Sequence, residues 1–247
     1  MRGLLKLTWL EIRIFVREPL GFVAAVGVPL AMFLVLGRTV SPGADRSAGT
    51  TQFLAQDLPL FVSVFISINA ALSLIAVISI YREGGILKRL RATPLRPAVI
   101  LGAHVLVKLF FSGISLALML LAGRRFYPVT LHPHVAGFAL AVVVTTVAIL
   151  TMGFVIASWV GTARFAQLTG SAVFYPILAV LGMCVPLASM PRSWALLGSV
   201  LSMSHAVALL RGAWVGASWL VLLPHLGALA LTIAICLALT ARVFRWE

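Results

Sequence analysis

Acidic residues are scarce in this chain, 6 Asp and Glu among 247 residues, and only 10% of all positions are charged. An ordinary soluble domain carries about 25% charged residues, so a water-soluble fold does not fit. The phosphate loop GxxxxGK[ST] needs a Gly-Lys pair. The only lysines, Lys6, Lys88 and Lys108, follow Leu5, Leu87 and Val107, which excludes an internal nucleotide site. No serine stands in a GxSxG context and no HExxH pair occurs, so neither a hydrolase elbow nor a zinc-protease helix is present. The 2 cysteines, Cys184 and Cys236, lie far apart in apolar surroundings and read as small buried residues, with no disulfide framework and no metal site. A secretory leader is also missing: the first apolar run is broken by Lys6, Glu11, Arg13, Arg17 and Glu18, so insertion without processing is expected.

What the chain has instead is apolar length. Hydrophobic residues make up 62% of it and its mean hydropathy is +1.11. Six runs, at about 20–36, 58–80, 98–122, 135–160, 167–188 and 219–241, approach or exceed the roughly 20 residues that a helix needs to cross a ~30 Å hydrocarbon core. The expected fold is an all-α polytopic membrane protein, one transmembrane domain over 1–247 with six spans. Ahead of them, in 1–19, Arg2, Lys6, Arg13 and Arg17 fall on one narrow helical stripe flanked by Leu5, Trp9, Leu10, Ile12 and Val16. That pattern predicts an interfacial helix lying on the membrane surface, closed by Pro19 rather than continued into the first span. Pro29 in the first span, and Pro176 and Pro186 in the fifth, predict kinks or broken ends.

The net charge of +13 sits in short clusters between apolar runs, which points to membrane topology and not to a nucleic-acid partner. With the N-terminus inside, the cytoplasmic segments hold Arg2, Lys6, Arg13, Arg17, Arg82, Lys88, Arg89, Arg91, Arg96, Arg164, Arg242 and Arg245. The outer segments hold only Arg38, Arg46, Arg124, Arg125, Arg192 and Arg211. The positive-inside rule therefore places both termini in the cytoplasm. The excess of arginine over lysine is consistent with a GC-rich bacterial source, and the expected location is the bacterial inner membrane.

Within the predicted spans no carboxylate occurs: Glu11, Glu18, Glu83 and Glu247 fall at cytoplasmic ends, and Asp45 and Asp57 in the first outer loop. A carrier driven by an ion relay is disfavoured on that ground. Lys108 is the one charge deep in a span. It either faces a polar cavity or snorkels, since a charge at a helix centre costs about 2.5–3.5 kcal/mol on insertion scales. Asn69, with Ser63, Ser67 and Ser73, supplies further polar groups for path lining or for interhelical hydrogen bonds. His132 and His134 form an outer-loop pair with no further ligand in view. The apolar stretch 189–218 is too short to span twice and reads as re-entrant or interfacial helix. Gly212 and Gly216 in it, and Gly153, Ala157 and Gly161 on the fourth span, permit close helix approach.

The segment 81–97, "YREGGILKRLRATPLRP", is the charged exception in the middle of the chain. Ile86, Leu87 and Leu90 share one helical arc and Arg82, Lys88, Arg89 and Arg91 the other, and Thr93-Pro94 ends the helix. Glu83 falls in the apolar arc, just before the Gly84-Gly85 joint. This segment resembles the signature of the type-2 ATP-binding-cassette exporter permeases, through Arg82, Glu83, Gly85, Leu87, Arg89, Leu90, Thr93, Pro94 and Leu95. Arg17-Glu18-Pro19 and the stretch "SHAVALLRG" at 204–212 are similar to the same family. Tyr81, where an acid is common, is a departure. The resemblance implies a non-enzymatic permease subunit. It would pair with a second permease copy or paralogue and with cytoplasmic ATPase subunits, which would hold the ATP and Mg; no cofactor belongs to this chain. It further implies that Arg13 and Arg17 on the N-terminal helix, together with Arg82, Glu83, Gly85, Leu87, Lys88, Arg89, Leu90 and Arg91, form the ATPase contact. Asn69, Ser73, Lys108 and Phe174 are candidates for lining the substrate path. The expected cargo is a drug-like or lipid-like amphiphile moved out of the cytoplasm, with polysaccharide as the alternative. A membrane-embedded lipid-acting enzyme and an ATP-independent channel are the rivals from other classes.

Overall fold

The computed structural model describes residues 2–39, 58–85, 97–126, 135–160, 162–178 and 202–243. Among these every regular element is a helix: α1 (Arg2–Arg17), α2 (Pro19–Phe22), a π-helical turn (Val23–Gly27), α3 (Val28–Thr39), α4 (Leu58–Glu83), α5 (Pro97–Phe126), α6 (Val135–Trp159), α7 (Ala163–Leu178), α8 (Ser202–Val215) and α9 (Trp219–Val243). Among the described residues 4 helices are long and apolar enough to cross a membrane, at Ser63–Glu83, Gly102–Gly123, Ala136–Trp159 and Trp219–Arg242. They correspond to the second, third, fourth and sixth predicted spans. The first predicted span is helical but interrupted, and the apolar helix Ala25–Val35 within it is shorter. The fifth begins earlier than expected, at Ala163, and its second half lies outside the described residues, as do Pro186 and Cys184. Cys236 is a free thiol.

Proline explains both breaks near the N-terminus. Pro19 has no N–H to give to an incoming helix, so α1 stops at Arg17, with the Glu18 N–H still reaching the carbonyls of Ile14 and Phe15 at 3.2 Å. Pro19 then starts α2, a first-turn position where the missing donor costs nothing. Pro29 cannot donate to Ala25, and the chain takes the wider π turn immediately before it, with the Val28 N–H returning to the Val23 carbonyl. The expected kink is thus a π turn.

α4 is the central helix. Leu60, Val64, Ile68, Leu74 and Ile75 are fully buried, and it packs against α6, α7, α3 and α5. Small residues bring α4 and α6 together: a Cβ on Gly153 would lie 3.4 Å from the Ala71 carbonyl oxygen, and Ala157 is fully buried. The Ser67 and Thr146 hydroxyls share a hydrogen bond of 3.0 Å across the same seam. Gly153 and Ala157 of the small-residue stripe predicted on the fourth span therefore serve intramolecular packing; Gly161 lies outside the described residues.

α8 is buried against α6 and α9 through Met203, Ala206, Leu209, Leu210, Ala213 and Trp214. Its end corrects the Gly212/Gly216 reading. Gly216 has φ +74°, and the Ala217 N–H returns to the Gly212 carbonyl at 2.9 Å. That is a Schellman cap, so Gly216 ends the helix and only Gly212 serves close approach. α9 then runs along the edge, burying one narrow stripe of Leu222, Leu229 and Thr240 while Leu220, Leu223, Leu231, Leu237 and other apolar side chains face outward. An apolar helix exposed on most of its circumference suits a lipid environment.

Candidate functional site

One end of the helix bundle gathers most of the ionisable groups among the described residues. α1 lies along α5, with Leu4 against Gly102 and the Phe15 and Phe111 rings 4.6 Å apart. Ile12 and Phe15 of α1 close over Val26, Val107 and Phe111, which form a second small core. The inner face of α1 also carries Glu11, on the side opposite the basic stripe. Arg13 and Arg17 stay exposed, as do Leu5, Trp9 and Leu10 beside them.

Glu11 joins three helices. Tyr81 Oη, in the last turn of α4, donates to Glu11 Oε1 at 3.0 Å, and His104 Nδ1 of α5 stands 3.9 Å from Glu11 Oε2. The Tyr81 and His104 rings meet edge to face at 5.5 Å. His104 is buried, and its Nε2 has no hydrogen-bond partner among the described residues. One turn further along the same face of α5, Lys108 is 5% exposed. It does not snorkel. Its Nζ donates to Ser73 Oγ at 2.7 Å and sits 4.4 Å from the centroid of the Phe15 ring. A hydroxyl acceptor and a ring face together offset part of the cost of burying an amine.

Beside Lys108 is a cavity of about 20 Å³ whose lining includes Phe15, Asn69, Ser73, Phe111 and Ser112. That volume admits one water, whereas small-molecule pockets occupy about 300–1,000 Å³. Three of the expected path residues, Asn69, Ser73 and Lys108, are thus brought together, but around a water-sized space. The Asn69 amide donates to its own helix, at the Phe65 carbonyl. Phe174 is not among them: it is fully buried in the main core, on α7.

The end of α4 carries the other predicted residues. Arg82 Nη1 donates to the Val160 carbonyl at 2.7 Å, just past the end of α6, where helix carbonyls lack partners and the dipole favours a cation. Arg82 thereby ties α4 to α6. Glu83 is exposed at the final position of α4. The Gly84 and Gly85 N–H groups return to the carbonyls of Ile80 and Arg82, and Gly85 has φ +65°, a left-handed conformation that favours glycine. The joint expected at Gly84-Gly85 is therefore a helix-ending turn. Leu87, Lys88, Arg89, Leu90 and Arg91 lie outside the described residues.

Sequence reasoning missed the Glu11, Tyr81 and His104 group. Two signals were there: Glu11 falls on the helical side away from Arg2, Lys6, Arg13 and Arg17, and His104 and Lys108 are spaced i,i+4 on one face.

A family model described as ABC-2 type transporter matches residues 2–215, from the start of α1 to the end of α8. The chain belongs to the ABC-2 type transporter family. It is accordingly the membrane permease subunit of an ABC exporter, a kind of subunit that works with ABC ATPase subunits. A comparison with individually curated proteins gave no match. In this ABC-2 permease the polar group around Glu11 sits where the N-terminal helix meets the ends of α4 and α5.

Removing that carboxylate should loosen the permease measurably. Glu11→Ala strands the part-buried Tyr81 hydroxyl, and the penalty of about 1–3 kcal/mol for a fully buried unsatisfied donor is the upper bound on the loss. At about 2–4 °C per kcal/mol for a chain of this size, the melting midpoint of the purified protein is expected to fall by several degrees. Glu11→Gln keeps an acceptor for Tyr81 and should lose less. Equal midpoints for the alanine variant and the unaltered protein would remove the structural role assigned to Glu11.

Proposed function

We propose that this permease moves a drug-like or lipid-like amphiphile out of the cytoplasm, driven by ATP hydrolysis on separate cytoplasmic ATPase subunits that hold the ATP and Mg. The family membership carries this reading. The inside face is taken to be the one bearing α1 and the end of α4, as the distribution of basic residues indicates. In that orientation Arg13, Arg17, Glu83 and the basic segment at 88–91 face the ATPase together. Force applied there reaches the spans along two routes. One is α4, anchored to α6 through Arg82 and the Val160 carbonyl; the other is α1, anchored to α4 and α5 through Glu11 and Phe15.

The cavity beside Lys108 admits a single water, so the substrate is proposed to pass between two permease copies and not through that space. The bacterial inner membrane, with both termini cytoplasmic, is the location that fits the charge distribution. Polysaccharide remains the alternative cargo.

Purification of the permease with and without the ATPase encoded beside it, followed by an ATP hydrolysis assay, tests the coupling. Stable co-purification and an ATPase rate that responds to the permease are expected. A permease that neither binds nor affects any neighbouring ATPase would return the choice to an ATP-independent channel.

A further inference from the structure

α8 and α9 form a hairpin whose register is set at its closed end, where Gly216 caps α8 and Gly212 packs directly against Leu222. Along the hairpin from that point, two half-buried histidines meet. His205 lies in the first turn of α8 and His225 in the second turn of α9. Their Nδ1 atoms are 3.1 Å apart, with the ring centroids 5.4 Å apart and the planes inclined by 44°. His225 is about 9 Å along α9 from Trp219, at 1.5 Å per residue, which leaves the pair close to one end of the span rather than at its middle.

We propose that His205 and His225 are a two-ligand site for a divalent transition-metal ion, which would clamp α8 to α9. Imidazole nitrogen suits zinc, copper and nickel, whereas calcium and magnesium demand oxygen. Two nitrogens bound tetrahedrally to zinc at about 2.0–2.1 Å stand roughly 3.3 Å apart, and at a right angle, as on copper, about 2.9 Å. The observed 3.1 Å falls between these, so the nitrogen spacing already fits an ion, and the two rings turn to bring both lone pairs onto it. In the ion-free neutral pair one Nδ1–H donates to the other Nδ1. Binding moves that proton to Nε2 of its own ring, so both Nδ1 lone pairs face the metal, no net proton is released and nothing is oxidised or reduced. No group of three or more His, Cys, Asp or Glu occurs among the described residues, and in the proposed site water takes the remaining positions on the ion.

The test uses the full chain in detergent micelles, in a His132→Gln/His134→Gln background that removes the other histidine pair. Zn²⁺ titrated by calorimetry is expected to bind one ion per chain. Addition of His205→Gln or His225→Gln should weaken this by on the order of ten-fold or more, since changing even a supporting group of a metal site costs 10–100-fold. Combining both should add little. Cu²⁺ electron paramagnetic resonance on the background protein should show coupling to two nitrogens, falling to one in either single variant. Three outcomes overturn the proposal: no saturable Zn²⁺ binding, binding that survives both histidine substitutions, or a Cu²⁺ spectrum without two equivalent nitrogens in the unsubstituted pair. The spectrum requires no variant of the pair itself, so misfolding of a variant does not shelter the idea.

Discussion

Glu83→Ala is expected to abolish substrate transport while leaving the amount of inserted, folded permease unchanged. The carboxylate is exposed at the last position of α4 and faces the end of the bundle where the ATPase is proposed to dock. A helix macrodipole disfavours a carboxylate at its C-terminus by about 0.3–1 kcal/mol, so the helix itself gains nothing from an acid there. One turn earlier the helix is firmly held, with Ile78 and Ser79 buried and Arg82 bonded to the Val160 carbonyl. A push on Glu83 therefore moves α4 as a body instead of bending its end. The glycines that follow end the helix, with Gly85 in the left-handed region. The assay is transport into inverted vesicles against permease content by immunoblot, together with ATPase activity of the co-purified complex. Loss of transport with ATP hydrolysis retained is the expected signature of a broken mechanical link. Full transport by the variant would remove Glu83 from the coupling surface.

Long apolar runs were the readable part of this sequence. α4, α5, α6 and α9 begin and end within a few residues of their predicted spans, because a run of about 20 apolar residues leaves the chain little choice. The break before Pro19 was equally plain, since it depends on one residue's missing donor. Other features turn on partners that are distant in sequence. The cost of burying Lys108 could be weighed locally, but its outcome depends on Ser73 in α4 and Phe15 in α1. Glu11 could be assigned to a helix face, yet Tyr81 and His104 became its neighbours only once α1 lay across two other helices. The meeting of His205 with His225 depends likewise on how the hairpin closes. Pro29 announced a disturbance, while its form as a π turn had no signature in the residues. Spacing alone misled at Gly216, where a glycine four residues after another marked a helix cap and not a packing surface.

Gly212→Val is expected to destabilise the permease strongly, and Leu222→Ala in the same chain to recover much of the loss. A Cβ at position 212 would overlap the Leu222 Cδ2 atom and also lie 3.6 Å from the Ala217 Cβ. Leu222 is itself 2% exposed, inside the main core, so it has little room to rotate away. Two effects of opposite sign compete. Removing a glycine from a helix interior gains up to about 1 kcal/mol for alanine, and less for a β-branched residue. Overpacking a filled site costs typically about 1–3 kcal/mol, and more when the added groups are branched. For alanine these nearly cancel; for valine the steric cost wins. Leu222→Ala alone opens a cavity and should cost about 2–5 kcal/mol. In the double variant the valine methyls occupy the space that the leucine vacated, so the two losses must not add. Residues in direct contact show coupling energies of about 0.5–3 kcal/mol, and a coupling in that range is expected from thermal midpoints of the four proteins in one detergent. Strict additivity would mean that Gly212 and Leu222 do not touch. The closure of the α8–α9 hairpin, and with it the placement of His205 against His225, would then have to be abandoned.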